Sequence, residues 1–218
     1  MPKIDEALSR GEELRPELRS HVVEIRGNLV VKHPLYFCLS VTRELSRRNS
    51  WANGEFREKQ QRLAEAQGKD DWVGAIWCHE GPYRVRAMLQ YQENLTDKQY
   101  WQTLRKLWMD SENIWQNRNQ WVRLLRSNRA GKSTLMTRKE LAKLNSLPDK
   151  ITVWRGCTKR NKDGVSWTLS EDKANFFAYR FGKTGQEFVR KRVVRKQDVL
   201  AYFADRKEFE VLIVRGLK

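Results

Sequence analysis

Apolar and polar positions in the last third of the chain follow the pattern of a small β-sheet with one helix. Short runs rich in β-branched residues, bounded by turn-forming residues, predict five strands. Their ranges are 151–155, 165–169, 188–194, 199–203 and 209–214. Between the second and third strands, apolar residues at helical spacing predict a helix over 171–181 with a compact stripe, Ala174, Phe177, Ala178 and Phe181, that packs on the sheet.

The first part of the chain is predicted to be mostly helical. Helical spacing of apolar residues predicts a helix over 35–48, and a second, more polar one over 50–68. Before them, Gly27-Asn28 lies between two apolar runs and predicts a hairpin in which Arg26 and Leu29 would pair.

The clearest helix of the first part begins at a capping box formed by Thr96 and Gln99 and runs toward Leu125. Two apolar rows repeat along it every seven residues and favour a buried helix face over a platform for stacking bases. The rows are Trp101, Trp108, Trp115 and Val122, and Tyr100, Leu107, Ile114 and Trp121. Together the patterns predict an α+β protein with a mostly helical region, 1–130, before a strand-rich region, 131–218.

Several polar residues occupy the predicted strands where apolar ones would be expected. Glu208 and Glu210 open the last strand, and alternation would place both on one side, with Cα atoms roughly 6.5–7 Å apart. Such a pair is costly for folding because like charges repel and a buried strand gives them no water. Arg155, Ser166 and Thr168 interrupt two other strands. An arginine, a hydroxyl and a carboxylate in one cleft suit a ligand that has a phosphate and a ribose.

The charge balance favours a polyanionic partner. The chain has 43 Lys and Arg against 27 Asp and Glu, a formal charge of +16. Residues 151–218 carry +8 and residues 1–150 the other +8, so we expect a broad positive surface along the whole chain. The densest run, residues 190–196, fits a solvated strand face and an anion-binding groove equally well.

Other classes of protein are disfavoured. Cys38, Cys78 and Cys157 are too few and too far apart for a disulfide framework or a zinc site, so we expect no metal. No apolar run could span a bilayer and the first residues lack the apolar segment of a signal peptide, which predicts a cytoplasmic protein. Residues 128–134 are similar to the end of a phosphate-binding loop, but its first glycine and its preceding strand are missing.

Four segments of the last third together resemble the mono-ADP-ribosyltransferases of the arginine-serine-glutamate class. They are residues 147–156 with Arg155-Gly156, Ser166-Trp167-Thr168, residues 174–181, and Glu208-Phe209-Glu210. The resemblance covers about residues 137–218. It implies an ADP-ribosyltransferase-like fold of two packed β-sheets around an NAD cleft, with NAD as co-substrate, transfer of its ADP-ribose and release of nicotinamide.

The resemblance also implies roles for individual residues. Arg155 would hold the NAD phosphates or the adjacent ribose, and the backbone of Gly156 would bind the nicotinamide amide. Ser166 would position the catalytic carboxylate of Glu210, which would bind the 2′-hydroxyl of the nicotinamide ribose. Glu208 would orient or deprotonate the acceptor.

The family's serine motif often has Ser-Thr-Ser, so Ser166 is a closer match than Thr168, which follows Trp167. An aromatic ring would stack on nicotinamide, and Tyr179, Phe181 and Phe177 are all candidates. Helical spacing places Phe177 and Phe181 in the core instead.

A chain of this kind would be a bacterial or phage toxin-like enzyme, with an antitoxin or chaperone as a possible neutralising partner. The family's E-x-E form often accompanies arginine acceptors on proteins, whereas the charge of this chain favours RNA or DNA as the acceptor. A basic nucleic-acid-binding module without enzymatic activity is the alternative.

Overall fold

The strands that the structure describes form two antiparallel sheets, one in each of two units. The structure is a computed structural model and describes residues 13–41, 46–182 and 185–214. The units comprise residues 1–95 and 96–218. The α+β class predicted from the sequence patterns is confirmed. None of the described helices is long and apolar enough to cross a membrane.

Over its described residues, 13–41 and 46–95, the first unit combines a three-stranded sheet, order β1-β2-β3, with four α-helices and a short 3₁₀ turn at residues 92–94. Leu18, Val31, Leu35 and Phe56 form the centre of its apolar core. The elements are α1 (Pro16–Arg19), β1 (Val22–Ile25), β2 (Asn28–His33), β3 (Tyr36–Val41), α2 (Ser46–Gly68), α3 (Trp72–Trp77) and α4 (Gly81–Tyr91).

The hairpin of this unit exists, but its register differs from the prediction. Ile25 pairs with Asn28, so the two-residue turn is Arg26-Gly27 and the predicted pairing of Arg26 with Leu29 is wrong. Both turn residues have positive φ, 51° and 78°. A hairpin turn of this kind favours glycine at its second position, and that preference selects Gly27.

The predicted helix over 35–48 is wrong in its first half, where Tyr36–Val41 is a strand paired with β2. A short apolar run is compatible with both periodicities, and pairing with a neighbouring strand decides between them. Residues 42–45 lie outside the described residues. The predicted helix over 50–68 is confirmed within α2.

Acid is expected to destabilise the first unit through His33. Its ring is half-buried, lies 4.7 Å from the Phe56 ring and accepts a hydrogen bond from the Leu35 amide at 3.0 Å. Burial lowers the pKa of His33 to about 4. In the unfolded chain the pKa of a histidine is about 6.5. As the pH falls from about 6.5 to about 4, His33 therefore binds a proton in the unfolded chain but not in the folded chain. Stability therefore falls across that window, by roughly 1 kcal/mol after allowance for solvent screening.

Urea unfolding at pH 7.5 and pH 5.0 measures this effect. His33→Asn retains an acceptor for the Leu35 amide but cannot titrate, so its loss of stability at pH 5.0 should be smaller than that of the wild-type chain. Burial also lowers the pKa of His79, which leaves the variant with a residual dependence of the same sign. An unchanged dependence in His33→Asn contradicts the role of His33.

The second unit contains the helices that precede the predicted strand region as well as the strands themselves. Its elements are α5 (Asp97–Asp110), α6 (Arg118–Leu125), α7 (Arg138–Ser146), β4 (Lys150–Thr158), β5 (Ser166–Thr168), α8 (Glu171–Tyr179), β6 (Glu187–Arg195), β7 (Ala201–Phe203) and β8 (Glu210–Leu212). Short 3₁₀ turns occupy residues 114–117, 132–135 and 196–198.

The segment 96–125 forms two helices, α5 and α6, so the prediction of one continuous helix is wrong. The break lies at residues 111–113, where Asn113 turns away from the helix and its side chain accepts a hydrogen bond from the Gln116 amide at 3.3 Å. Asparagine and serine compete with the helix in this way because their side chains bond to nearby backbone groups.

The core prediction for the aromatic stripe is confirmed for its main members. Trp101, Trp108 and Trp121 are each at most 1% exposed, and Tyr100 is fully buried. Trp115 and Val122, the two members of their row that follow the break, are only partly buried.

The strands form one five-stranded antiparallel sheet with the order β6-β4-β5-β8-β7. Cross-strand pairing aligns Trp154 with Thr168, Thr168 with Glu210, and Glu210 with Phe203. Residues paired in this way share a face of the sheet. The two packed sheets that the resemblance implies stay a prediction.

Candidate functional site

A cleft of about 770 Å³ opens in the second unit, within the range of roughly 300–1,000 Å³ usual for sites of small molecules and cofactors. Its lining comes from β4 and the loop after it, β5, α8 and the residues after it, and the first residues of β6 and β8. Residues 111–115 and the loop before β8 complete it. Ser166, Glu208 and Glu210 line it together with Arg155 and Gly156. Thr168 and Phe181 line it as well, so the structure brings seven of the eight predicted site residues to one cavity.

Glu210 is a buried carboxylate held by two donors. Its side chain is 6% exposed where β8 begins. The Ser166 hydroxyl donates to Oε1, and the Trp108 indole N–H donates to Oε2 at 3.0 Å. Burial raises the pKa of Glu210, against the lowering effect of these two hydrogen bonds. A carboxylate in this position opposes folding unless it is fully hydrogen-bonded, which makes it a candidate for function.

Glu208 lies outside the strand, so the predicted alternation of residues 208–210 along β8 is wrong. Phe209 has a φ of 50° and is 44% exposed, because the chain turns here before pairing begins at Glu210. The Glu208 side chain is 24% exposed and also lines the cleft. Arg206 joins the two carboxylates, at 3.6 Å from Glu208 Oε2 and 3.8 Å from Glu210 Oε2.

Thr168 has a local structural part in this arrangement. It is 5% exposed, its hydroxyl donates to the Glu208 carbonyl oxygen at 2.6 Å, and it accepts from the Ser170 amide at 3.1 Å. These bonds hold the turn that carries Glu208 against the end of β5. Contact of Thr168 with a cofactor stays a prediction.

Arg155 binds backbone carbonyls. Its Nε and Nη2 donate to the Asn161 oxygen at 3.3 and 3.1 Å, and Nη1 donates to the Ser166 oxygen at 2.5 Å. A guanidinium has five N–H donors, and these bonds use three of them. Contact of Arg155 with NAD stays a prediction. In this structure Arg155 fixes the loop after β4 to the strand that carries Ser166.

Gly156 has a packing function that the sequence did not reveal. A Cβ atom there would lie 2.1 Å from the Ala174 oxygen and 2.4 Å from the Ala178 nitrogen. The absence of a side chain lets α8 lie directly on β4, with Ala174 and Ala178 buried at the contact. Binding of nicotinamide by the Gly156 backbone stays a prediction.

The aromatic candidates fall in three environments. Tyr179 is 37% exposed and is not among the cleft-lining residues, whereas Phe177 and Phe181 both line the cleft. The prediction that Phe181 belongs to the core is wrong, since it is 87% exposed. Helix α8 ends at Tyr179, so the helical period that would have buried Phe181 no longer applies.

Three residues of the site were missed at the level of sequence: Trp108, Trp154 and Arg206. Trp108 belongs to a stripe that indicates only burial, although a buried indole N–H usually finds an acceptor and so signals a buried polar partner. Trp154 lines the cleft, and its buried indole nitrogen has no hydrogen-bond partner among the described residues. Arg206 lies in a charged loop and gives no such signal.

A buried ion network supports the segment that carries the two glutamates. Glu140 is 3% exposed. Its carboxylate accepts hydrogen bonds from the Arg105 guanidinium at 2.7 and 3.1 Å and from the Ala204 amide at 2.9 Å. Burial opposes ionisation of Glu140, but the hydrogen bonds from Arg105, Ala204 and Thr137 together outweigh burial and lower the pKa of Glu140. Arg105 also contacts Asp205 at 2.5 Å. The start of the loop after β7 is thereby anchored to α5 and α7.

No protein-family model, curated protein or solved structure matches this chain. Among the described residues, no group of three or more His, Cys, Asp or Glu side chains is arranged to hold a metal ion.

Proposed function

We propose that the chain is an NAD-dependent mono-ADP-ribosyltransferase, toxin-like, which transfers ADP-ribose from NAD to a macromolecular acceptor. The observation that carries the proposal is the buried Glu210 carboxylate, hydrogen-bonded to Ser166 in a cleft of cofactor size. Arg155 and Ser166, which line the same cleft, come from two other segments of the resemblance, and Glu208 comes from the segment of Glu210 itself.

NAD suits the groups that line the cleft. The ionised Glu210 would accept a hydrogen bond from the 2′-hydroxyl of the nicotinamide ribose. As the bond between C1′ and nicotinamide breaks, positive charge develops on the ribose, and a fixed carboxylate stabilises it. The unpartnered Trp154 indole N–H is a donor available to an oxygen of the same ligand.

Glu208 has the environment of a group that acts on the acceptor. It is more exposed than Glu210, and Arg206 lies against both carboxylates. Nicotinamide leaves with the electron pair of the broken bond, the acceptor forms the new bond to C1′, and Glu208 takes up the acceptor's proton. A general base must be within hydrogen-bond reach of that proton, and the open side of the cleft permits this.

Ser166→Ala is expected to lower the rate of nicotinamide release about tenfold and to shift its pH dependence. The Ser166 hydrogen bond lowers the pKa of Glu210, so its loss raises that pKa further. Activity requires the ionised carboxylate, which is present above the pKa and lost as the pH falls through it. The acidic limb of the pH–rate profile for nicotinamide release should therefore move to higher pH. Initial rates between pH 5 and pH 9 measure this shift.

Ser146→Ala, on the exposed end of α7, is the matched control and should leave the profile unchanged. If the rate of Ser166→Ala falls without movement of the acidic limb, Ser166 does not act through the ionisation of Glu210.

Purified protein incubated with NAD, labelled in its adenine half, tests the proposal against the alternative of a non-enzymatic basic module. Cell lysate supplies every class of acceptor. We expect release of nicotinamide and label in the macromolecular fraction. If lysate, NAD and protein together give neither product, the enzymatic proposal is wrong.

A further inference from the structure

The positive charge belongs to one of the two units. Residues 96–218 contain 28 Lys and Arg against 13 Asp and Glu, a formal charge of +15, whereas residues 1–95 carry +1. The prediction of an excess spread along the whole chain is therefore wrong, because division at residue 150 cut through the basic unit. The unit that contains the cleft is the one that attracts polyanions.

Basic side chains flank the mouth of the cleft. The loop after β4 exposes three of them on either side of Asn161, which lines the cleft, and α8 is followed directly by Arg180, which also lines it. Arg206 also lines the cleft and is followed in the chain by an exposed lysine. We call this set the basic rim: Lys159, Arg160, Lys162, Arg180, Arg206 and Lys207.

Two of the aromatic rings that line the cleft lie beside arginines. Phe181, 87% exposed, lines the cleft mouth beside Arg180, whose guanidinium carbon is 4.6 Å from the centre of its ring. Phe176, on α8, is 60% exposed but does not line the cleft. Trp115 also lines the cleft and has Arg118 at 5.7 Å from its ring. Exposed rings at a cleft, rimmed by polar residues, are a feature of interaction surfaces.

We propose that the basic rim and Phe181 bind single-stranded nucleic acid and, resting on the proposed function, that this strand is the ADP-ribose acceptor. Positive grooves that follow the phosphates, combined with rings that stack on successive bases, are the features of single-strand binding. A duplex hides its base faces, so it could use the charges but not the rings. An acidic protein could also use the charges, but the exposed rings beside arginines favour stacked bases.

Acidic residues restrict where the strand can lie. Glu112 and Glu187 line the cleft with Glu208 and Glu210, so phosphates would follow the rim while a base enters over Phe181. A nucleophilic nitrogen or oxygen of the nucleic acid would attack C1′ of the nicotinamide ribose and lose its proton to Glu208. The products are ADP-ribosylated nucleic acid, nicotinamide and one proton.

Binding is measured by fluorescence anisotropy with a labelled single-stranded oligonucleotide and no NAD. If about four phosphates are neutralised, the logarithm of the association constant falls with the logarithm of salt concentration with a slope of about −3. The double substitution Arg160→Gln with Lys162→Gln should reduce that slope to about −1.5. Phe181→Ala should weaken binding about tenfold without changing the slope.

The matched control is the double substitution Lys139→Gln with Lys143→Gln. These two lysines are exposed on α7, which contributes no lining residue to the cleft. The control should bind as the wild-type chain does. If both pairs of substitutions lower the affinity for the oligonucleotide equally, the basic rim is not the binding site. Equal affinity for duplex and single-stranded oligonucleotides would also contradict the proposal.

Transfer is measured with labelled NAD and equal amounts of single-stranded DNA, single-stranded RNA, duplex DNA or total protein. Label on a single strand, reduced in Phe181→Ala, supports the inference. Turnover of NAD with label only on protein overturns the acceptor class but leaves the proposed function intact. Oligonucleotide binding without any NAD turnover overturns the acceptor role and the proposed function, and supports the rim as a nucleic-acid site.

Discussion

Glu210→Gln is expected to lower the rate of nicotinamide release about 10²–10³-fold. The amide keeps the shape of the side chain but removes the charge that stabilises the developing positive ribose, an effect of the size found for single preorganised groups in active sites. The loss should appear in kcat more than in KM, because the interaction strengthens only as the glycosidic bond breaks.

The same substitution should leave the fold intact. The amide oxygen can still accept from the Trp108 indole, and the Ser166 hydroxyl can rotate to accept from the amide nitrogen. Loss of a buried charge removes a desolvation cost, so the free energy of unfolding should be equal or higher. Circular dichroism and urea unfolding check this part.

Glu112→Gln is the matched control, since Glu112 also lines the cleft but is exposed. Its rate should remain within about twofold of the wild-type rate. Full activity in Glu210→Gln, or equal losses in the two variants, would show that Glu210 has no special part in the reaction.

Gly156→Ala is expected to destabilise the second unit by about 2–4 kcal/mol. The added Cβ would approach the Ala174 oxygen to 2.1 Å and the Ala178 nitrogen to 2.4 Å, and both atoms belong to the backbone of α8. A flexible side chain could move aside, but here the whole helix must shift. Phe177, which α8 brings to the cleft, would move with it.

Gly54→Ala provides the contrast, because a Cβ at Gly54 within α2 meets no atom within 4 Å. Alanine is the better helix former, so this variant should gain about 0.5–1 kcal/mol. Both changes are read from urea unfolding curves. A neutral effect of Gly156→Ala would mean that α8 does not lie as close to β4 as the structure has it.

The strands of the second unit were predictable from sequence because short β-branched runs between turn residues have few alternatives. The helix over 50–68 was predictable because a polar segment of this length is too long for a strand. The segment Tyr36–Val41 was not, because its pairing with β2 is a contact that periodicity does not contain. The break near Asn113 depends on side chains that bond to their own backbone, which an apolar pattern ignores.

The sequence predicted most of the residues that line the cleft, but not the contacts between them. Glu210 and Ser166 are in contact, but the partner on the other side of the carboxylate, Trp108, is 102 positions away in the chain. Neither that contact nor the packing of Gly156 against α8 has a local signature. The exposure of Phe181 follows from where α8 ends, and neither glycine nor proline directly follows Tyr179 to mark that end in the sequence.

The central claim is that the cleft is an NAD site with Glu210 on the nicotinamide ribose. A crystal structure of the Glu210→Gln variant with NAD tests it most directly, because the slowed reaction preserves the bound dinucleotide. We predict the 2′-hydroxyl of the nicotinamide ribose within hydrogen-bond distance of residue 210, with the nicotinamide beside Gly156. NAD bound outside the cleft, or no NAD bound at millimolar concentration, would contradict the claim.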